Sequence, residues 1–254
     1  MPATCCDVTV IRHEPLTAGI WLLTTNWPRR DKAPKAGQFF MLRCWPADAA
    51  PLLSRPISVH NYDERTATVE FLYEVRGKGT QQLAALLPGD TLTLTGPAGN
   101  GFDVQSAAGR IAVVGGGIGT APLYQLVKEL AAQGHKADFY CGFRDLPYEL
   151  DRFVPLCNQT FLATDSGNAG FHGFVTQLLK PEQYDLVLCC GPEPMMRAVA
   201  AQCKEAGTKC IVSLEKKMAC GVGACLGCTC HTSTGGKCVC KDGPVFDAEE
   251  VFFA

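Results

Sequence analysis

The chain holds 254 residues, 47% hydrophobic and 19% charged, with 23 basic against 25 acidic side chains and a formal charge of −2. That length accommodates one large or two ordinary globular domains, and the balance excludes a disordered or fibrous protein and a polyanion-binding surface. No apolar run reaches the ~20 residues of a membrane helix, and the opening MPATCCDVTVIRHEP lacks the basic start and apolar core of a signal peptide; the expectation is a cytoplasmic protein with no membrane or nucleic-acid partner.

Residues 1–105 contain β-type segments separated by turn signals: Cys6 to Ile11, Gly19 to Thr25, Gln38 to Cys44, Arg55 to Asn61, Thr66 to Glu74 and Asp90 to Gly96. The alternation in TATVEFLYEV and DTLTLTG has the period of half-buried strands, and short strands at this spacing predict a small barrel or sandwich. A short helix is expected from Thr80 to Leu87, closed by Pro88-Gly89. Within LLSRPISVH, Arg-Pro-x-Ser sets a cation and a hydroxyl on a rigid extended backbone, where Arg55 could pair with a pyrophosphate while Ser58 addresses a flavin ring. Alone, the segment would read as an ordinary strand with one exposed Arg. Downstream, Gly77, Gly79 and Thr80 stand just before a helix, where free N–H groups favour a phosphate.

From 106 to 212 the texture becomes α/β. A buried strand, Arg110 to Val114, runs into GGGIGTAP and a helix from about Ala121 to Gln133; strands follow at Ala137 to Phe143, Gln159 to Thr164 and Asp185 to Cys189, separated by helical stretches such as Gly173 to Leu179 and Pro194 to Ala206. Strands alternating with helices predict a parallel, doubly wound sheet. Gly115, Gly117, Gly119 and Thr120 form a candidate dinucleotide loop, although Thr120 replaces the third glycine of the usual fingerprint. Asp138 and Asp165 are alternative ribose acids, and either could equally cap a turn; an acid in that role favours NADH over NADPH. CGPEPMMRAV puts Gly191 at another strand end, where nicotinamide could sit.

Residues 213–254 hold six of the fifteen cysteines and little that could make a core, so a metal or cluster is expected to hold them. Cys220-x4-Cys225-x2-Cys228 with a distant fourth cysteine is plant-type [2Fe–2S] spacing, with Gly221, Gly223 and Gly227 supplying a tight loop. A structural zinc site is the plainer reading of the Cys225/Cys228 pair, but zinc knuckles pair two short hairpins. The loop spacing favours Cys228 over Cys230; between Cys238 and Cys240 spacing alone does not choose.

RPISV, the GKGT turn, GPAGNGF, GGGIGTAP, CGPEPMM and the cysteine segment ending in CKDGPVF occur in the order seen in ferredoxin–NADP reductase-like proteins. The cysteine segment narrows the resemblance to the electron-transfer subunits of NAD-dependent dihydroorotate dehydrogenase, across essentially the whole chain. The resemblance implies a two-domain ferredoxin-reductase-like architecture: an FAD-binding β-barrel (1–105), an NAD-binding doubly wound α/β domain (106–212) and a [2Fe–2S] subdomain (213–254). It implies FAD contacts at Arg55, Pro56, Ile57, Ser58, Leu72, Tyr73, Glu74, Gly79 and Thr80, and cluster ligands Cys220, Cys225, Cys228 and Cys240, the last set by its place just before KDGPVF. Glu74 departs from a position where a basic residue is common, and Cys230 and Cys238 are extra. The implied partner is an FMN-containing dihydroorotate dehydrogenase catalytic subunit, two of each in a heterotetramer, with NAD(H) as substrate and no dihydroorotate-oxidising group on this chain. A nicotinamide passes two electrons as hydride and a cluster takes one, so FAD is expected between them. The alternatives are a subunit of an NADH-dependent ferredoxin:NADP oxidoreductase or sulfide dehydrogenase, and a cluster-based redox-sensing binding protein.

Overall fold

The computed structural model describes residues 4–253 and contains two seven-stranded sheets and a two-stranded hairpin. In the first sheet, β1 (Thr4–Thr17), β2 (Ile20–Asn26), β3 (Phe39–Arg43), β4 (Arg55–Ser58), β5 (Asn61–Asp63), β6 (Thr68–Glu74) and β7 (Thr91–Ala98) pair antiparallel in the order β4-β3-β7-β1-β2-β6-β5. The sheet curls until β4 lies beside β6. Inside the curl Trp27, Phe40, Leu42, Phe71 and Leu94 are fully buried, with Trp27 and Phe71 both edge-on to Phe40. Burying each such side chain contributes about 1.5–3 kcal/mol. Strand β6 shows how pattern becomes packing: Val69, Phe71 and Tyr73 point into this core, while Leu72 is buried on the opposite face against Ile20, Leu22 and Ala121. The alternation therefore breaks at Leu72 because the second domain covers the outside of the barrel there. Helix α1 (Lys78–Ala84) links β6 to β7.

The second sheet takes β8 (Ile111–Gly116), β9 (Asp138–Phe143), β10 (Thr160–Thr164), β11 (Phe171–His172), β12 (Leu186–Cys190) and β13 (Lys209–Ser213). After the hairpin β14 (Thr229–Thr232) and β15 (Gly235–Cys238), the chain returns as β16 (Val245–Asp247) and completes the order β11-β10-β9-β8-β12-β13-β16. All neighbours are parallel except β13 and β16. The connecting helices are α2 (Leu123–Ala132), α3 (Leu150–Phe153) and α4 (Glu193–Ala206), and α5 (Ala248–Phe252) follows β16. Ile111, Val113, Phe139 and Cys141 pack with α2 and α3, whereas Ala112, Val114, Tyr140 and Val187 pack with α4, so apolar strands are covered on both faces.

Three expectations change. The stretch from Gly173 to Leu179 is not a helix but a single 3-10 turn at Val175–Gln177, following the short edge strand β11; Gly173 at φ 145° and an exposed Phe174 leave too few residues to nucleate a longer helix. The barrel helix begins at Lys78 rather than Thr80. The C-terminal segment, expected to hold little core, buries Cys228, Cys230, Cys238, Val239, Cys240 and Phe246 in the hydrophobic cluster shared with α4, and β16 extends the α/β sheet. Among the described residues no helix is long and apolar enough to cross a membrane.

The carboxyl ends of β8 and β12 meet where a Cβ on Gly119 would lie 2.4 Å from the Gly191 Cα and 2.7 Å from the Cys190 carbonyl oxygen. Both are backbone atoms and cannot step aside. Gly119→Ala is therefore expected to destabilise the protein by about 1–3 kcal/mol, read as a lower denaturation midpoint; an unchanged midpoint would contradict this packing.

Candidate functional site

One cleft opens between the barrel, the α/β domain and the C-terminal segment. Its barrel wall is Arg55, Pro56, Ile57 and Ser58 of β4, Leu72, Tyr73 and Glu74 of β6, and Thr80 of α1. Antiparallel pairing with β3 holds β4 extended, with Pro56 opposite Met41 and Ser58 opposite Phe39. Arg55 Nη1 donates to the Leu53 carbonyl at 2.6 Å, and the guanidinium lies 5.7 Å from the Trp45 ring. Gly79 is needed for its position, because a Cβ there would come within 2.4 Å of Arg55 Nε. The Thr80 hydroxyl accepts from the N–H groups of Arg76 and Gly77 and donates to the Gly77 carbonyl, so it shapes the entry to α1. The buried Tyr73 hydroxyl is held by His13 Nε2 at 2.9 Å, while Nδ1 faces the Leu86 carbonyl. Burial lowers the His13 pKa, which keeps Nε2 free to accept from the phenol.

The other walls carry residues the sequence reading missed: Arg76, Cys190, Glu215 and Met218, with Ile118, Ala121 and Pro122 from the dinucleotide loop and its end. Glu74 and Arg76 form an ion pair at 2.6 Å, so the basic group absent at position 74 stands two residues later. Glu215 sits in the recess yet keeps a solvent-exposed face; crowding by protein and the nearby Glu74 raise its pKa, and Arg76 opposes them. Burial also holds the Cys190 thiol protonated, with Glu215 adding to the effect and a hydrogen bond with Ser213 opposing it. Nothing local in the sequence marks these groups, since β12 and the segment after β13 reach the cleft only through sheet topology.

Strand order reverses at β8, whose neighbours are β9 and β12, so the crevice between the β8 and β12 ends is the topological switch point. Gly115, Gly117, Gly119 and Gly191 all stand there. Gly117 takes φ 52°, and buried Thr120 donates to its carbonyl at 2.9 Å, which tightens the loop. Asp138 opens β9 at the opposite end of the sheet, 2% exposed and held by Asn158, Tyr184 and Arg110. Asp165 follows β10 at the carboxyl end, its N–H bonded to the Phe143 carbonyl. Asp145, two residues past β9, shares that corner; hydrogen bonds from Asn168 and Ser166 lower its pKa.

In the cysteine loop, Gly221 and Gly223 adopt positive φ, and so does Leu226 at 58°. This turns backbone donors onto sulfur: Val222 and Cys225 N–H point to Cys220 Sγ at 3.5 and 3.4 Å, and Gly223 N–H to Cys240 Sγ at 3.1 Å. The Val222 N–H leads in pushing the Cys220 pKa down to about 6, which favours its thiolate. Backbone donors link the cysteines in two pairs: Cys225 N–H points to Cys220 Sγ and Cys240 N–H to Cys228 Sγ at 3.4 Å. Among the described residues no three His, Cys, Asp or Glu converge on one point, as a lone metal ion requires. Two pairs of cysteines instead fit a two-iron cluster with two cysteines to each iron. Cys230 and Cys238 stand outside the pairs; Cys238 faces the Thr229 hydroxyl at 3.8 Å and its N–H donates to Asp242. The loop packs directly on the barrel, because a Cβ on Gly221 would meet Met41 Cγ at 2.6 Å.

The chain is similar in sequence and in fold to known proteins. The family described as the iron-sulfur cluster binding domain of dihydroorotate dehydrogenase B matches residues 215–252. The chain is 46% identical over 240 residues to the dihydroorotate dehydrogenase B (NAD(+)) electron transfer subunit of Clostridium perfringens, covering 94% of each chain. It is 46% identical over 217 residues to the same subunit of Clostridium acetobutylicum, covering 85% of this chain and 86% of that one. A solved NADH-dependent reduced ferredoxin-NADP oxidoreductase, described for flavin-based electron bifurcation, superposes with a TM-score of 0.86 at 27% identity, covering 96% of this chain and 89% of that one. A ferredoxin NADP+ reductase from Neisseria gonorrhoeae shares the fold, with a TM-score of 0.64 at 18% identity over 80% of this chain and 92% of that one.

Two substitutions test the site. Gly79→Ala should displace Arg55 and cut the FAD retained on purification by about tenfold or more while far-ultraviolet circular dichroism stays unchanged; full FAD content would contradict the packing argument. Cys240→Ser should lose iron and Cys238→Ser should keep it, measured as iron per chain; equal retention by both would refute the pairing.

Proposed function

Because the chain belongs to the family of dihydroorotate dehydrogenase B (NAD(+)) electron transfer subunits, we propose that it carries electrons between a dihydroorotate-oxidising partner and NAD+. A [2Fe–2S] cluster and FAD serve it as cofactors and NAD as substrate. The observation that carries the reading is the shared cleft: β4 and β6, the end of the dinucleotide loop with Cys190, and the segment leading to Cys220 all open onto it. When bound, FAD supplies the conversion between hydride exchange with a nicotinamide and single-electron exchange with a cluster.

The chain's own residues supply position and electrostatics. Arg55, with the N-terminal turn of α1 behind Gly79 and Thr80, would hold the FAD pyrophosphate by a charge-assisted contact. Pro56, Ile57, Ser58, Leu72, Tyr73 and Glu74 would frame the flavin ring, with Ser58 offering a hydroxyl and Leu72 an apolar wall. Gly115, Gly117, Gly119 and Gly191 would let the nucleotide approach the switch point, where Cys190 also lines the cleft. Asp165, with Asp145 at the same corner, would accept from the adenosine ribose and repel a 2′-phosphate. Cys220, Cys225, Cys228 and Cys240 would ligate the cluster, whose loop presents exposed Val222 and Leu226.

An exposed cluster loop with apolar side chains suits a permanent partner. That partner is an FMN-containing catalytic subunit, assembled as two of each in the cytoplasm, and it supplies the acid–base chemistry of dihydroorotate oxidation. On co-expression, size measurement should give the heterotetramer, and dihydroorotate should bleach this chain's flavin only when the partner is present. Recovery of free monomer alone, with no dihydroorotate-dependent bleaching in the mixture, would overturn the assignment.

A further inference from the structure

The segment RPISVH continues two residues beyond Ser58 to His60, which is fully buried and lines neither the cleft nor the barrel core. Its Nδ1 lies 2.7 Å from the carbonyl oxygen of Ala121. A carbonyl only accepts, so Nδ1 carries the hydrogen. Ala121 immediately follows the 3-10 turn Gly117–Thr120 and itself faces the cleft. This single bond thus ties the flavin-side strand β4 to the loop that opens on the nucleotide crevice.

The other side of the imidazole is equally committed. Nε2 lies 3.3 Å from Glu149 Oε2 and 3.4 Å from Arg152 Nη1. Arg152 donates to Glu149 at 2.9 Å and reaches back to Glu70 on β6 at 2.7 Å. Its guanidinium lies over the Tyr124 ring at 4.2 Å, and that ring stacks on His60 at 5.1 Å. The circuit therefore grips both strands of the flavin wall, β4 through His60 and β6 through Glu70, and fastens them to α2 and α3. Glu149 holds a left-handed backbone at φ 61°, a conformation a residue with a side chain keeps only where its surroundings over-determine it. Burial raises the Glu149 pKa, but the His60 hydrogen bond and the Arg152 charge outweigh it and leave the carboxyl more acidic than usual.

The geometry points to His60 as a positioning residue for hydride transfer: through Ala121 and Glu149 it fixes the nucleotide loop against the flavin strands. The inference rests on the functional reading above, in which nucleotide and flavin meet at this cleft. A group acting only as core filling would, when removed, lower stability and FAD content together. A positioning group would leave the cofactors in place and misalign the reacting atoms, and a misplacement of about 1 Å can cost 10²-fold in rate.

The test uses the full chain loaded with FAD and cluster, compared as wild type, His60→Leu and His60→Asn. Asparagine retains an N–H donor near the position of Nδ1 and cannot bridge to Glu149. In His60→Leu, FAD and iron per chain should stay at wild-type values, amide hydrogen exchange across 117–124 and 147–152 should accelerate without added nucleotide, and NADH-driven flavin bleaching should slow about 10- to 100-fold with NADH affinity changed less than about threefold. His60→Asn should restore protection across 117–124, leave 147–152 exchanging fast and recover only part of the rate. Wild-type exchange and rate in His60→Leu would overturn the proposal, as would a rate loss matching only its loss of FAD. Should His60→Leu fail to fold, Glu149→Gln decides: slowed bleaching with full FAD supports the proposal, and a wild-type rate overturns it. If the wild-type flavin is inert to NADH, the functional reading fails, and the exchange measurement alone judges whether His60 holds the loop.

Discussion

The seating of the C-terminal segment across both domains is the interaction on which the arrangement depends. β16 pairs with β13, the Leu214 N–H donates to the Pro244 carbonyl at 2.8 Å, and Asn100 at the end of the barrel bonds the carbonyls of Lys241, Asp242 and Gly243. These contacts bring Leu214, Glu215, Met218 and Pro244 to the cleft and press Gly221 against Met41. Without them the barrel and the α/β domain would enclose a flavin from two sides only, and the cysteine loop would have no fixed relation to it. The hairpin β14–β15 is anchored to the same unit through Lys237 and Glu250 and through the Ser233 N–H.

The two domains are joined by polar contacts beside the apolar patch of Leu72, Ile20, Leu22 and Ala121. Gln125 accepts from the Tyr62 N–H, Lys128 donates to Asn61 and to the Tyr62 carbonyl, and Glu129 accepts from the Ala36 N–H. Such bonds are directional where apolar packing is not, so they fix an angle as well as a contact. The same logic runs through the His60 circuit. A protein whose task is to hold two reacting cofactors at a set separation gains more from an oriented interface than from a larger apolar one, because hydride transfer falls off steeply with misalignment.

Much of this was legible in the chain. The strand periods, GGGIGTAP between a buried strand and a helix, and the C-x4-C-x2-C spacing are local signals, and the residues expected to address FAD do line one cleft, with Gly79 supporting Arg55 from behind. What local patterns could not reveal depends on long-range topology. Cys190 and Glu215 share a cleft with Ser58 only because β12 and β13 end on the side facing the barrel. Asp138 satisfied the sequence distance for a ribose acid, yet it opens its strand at the amino end of the sheet, whereas Asp145 lies two residues past the carboxyl end of the same strand. The segment 173–179 ends in helix-favouring Gln177, Leu178 and Leu179, but with Gly173 at φ 145° and β-branched Val175 and Thr176 it forms only a single 3-10 turn. Cys240 and Cys238 are equivalent by spacing; the turn held by Asp242 sends Cys240 to Cys228 and leaves Cys238 facing Thr229.

The central claim is that one cleft joins nucleotide, flavin and cluster in that order. It is tested most directly by mixing the oxygen-free, cofactor-loaded chain with NADH, freezing at successive times, and following flavin absorbance together with the electron paramagnetic resonance signal of the reduced cluster. Flavin bleaching should precede the cluster signal, and the signal should be lost when FAD is removed with the cluster left intact. A cluster signal that rises as fast in FAD-free protein would contradict it.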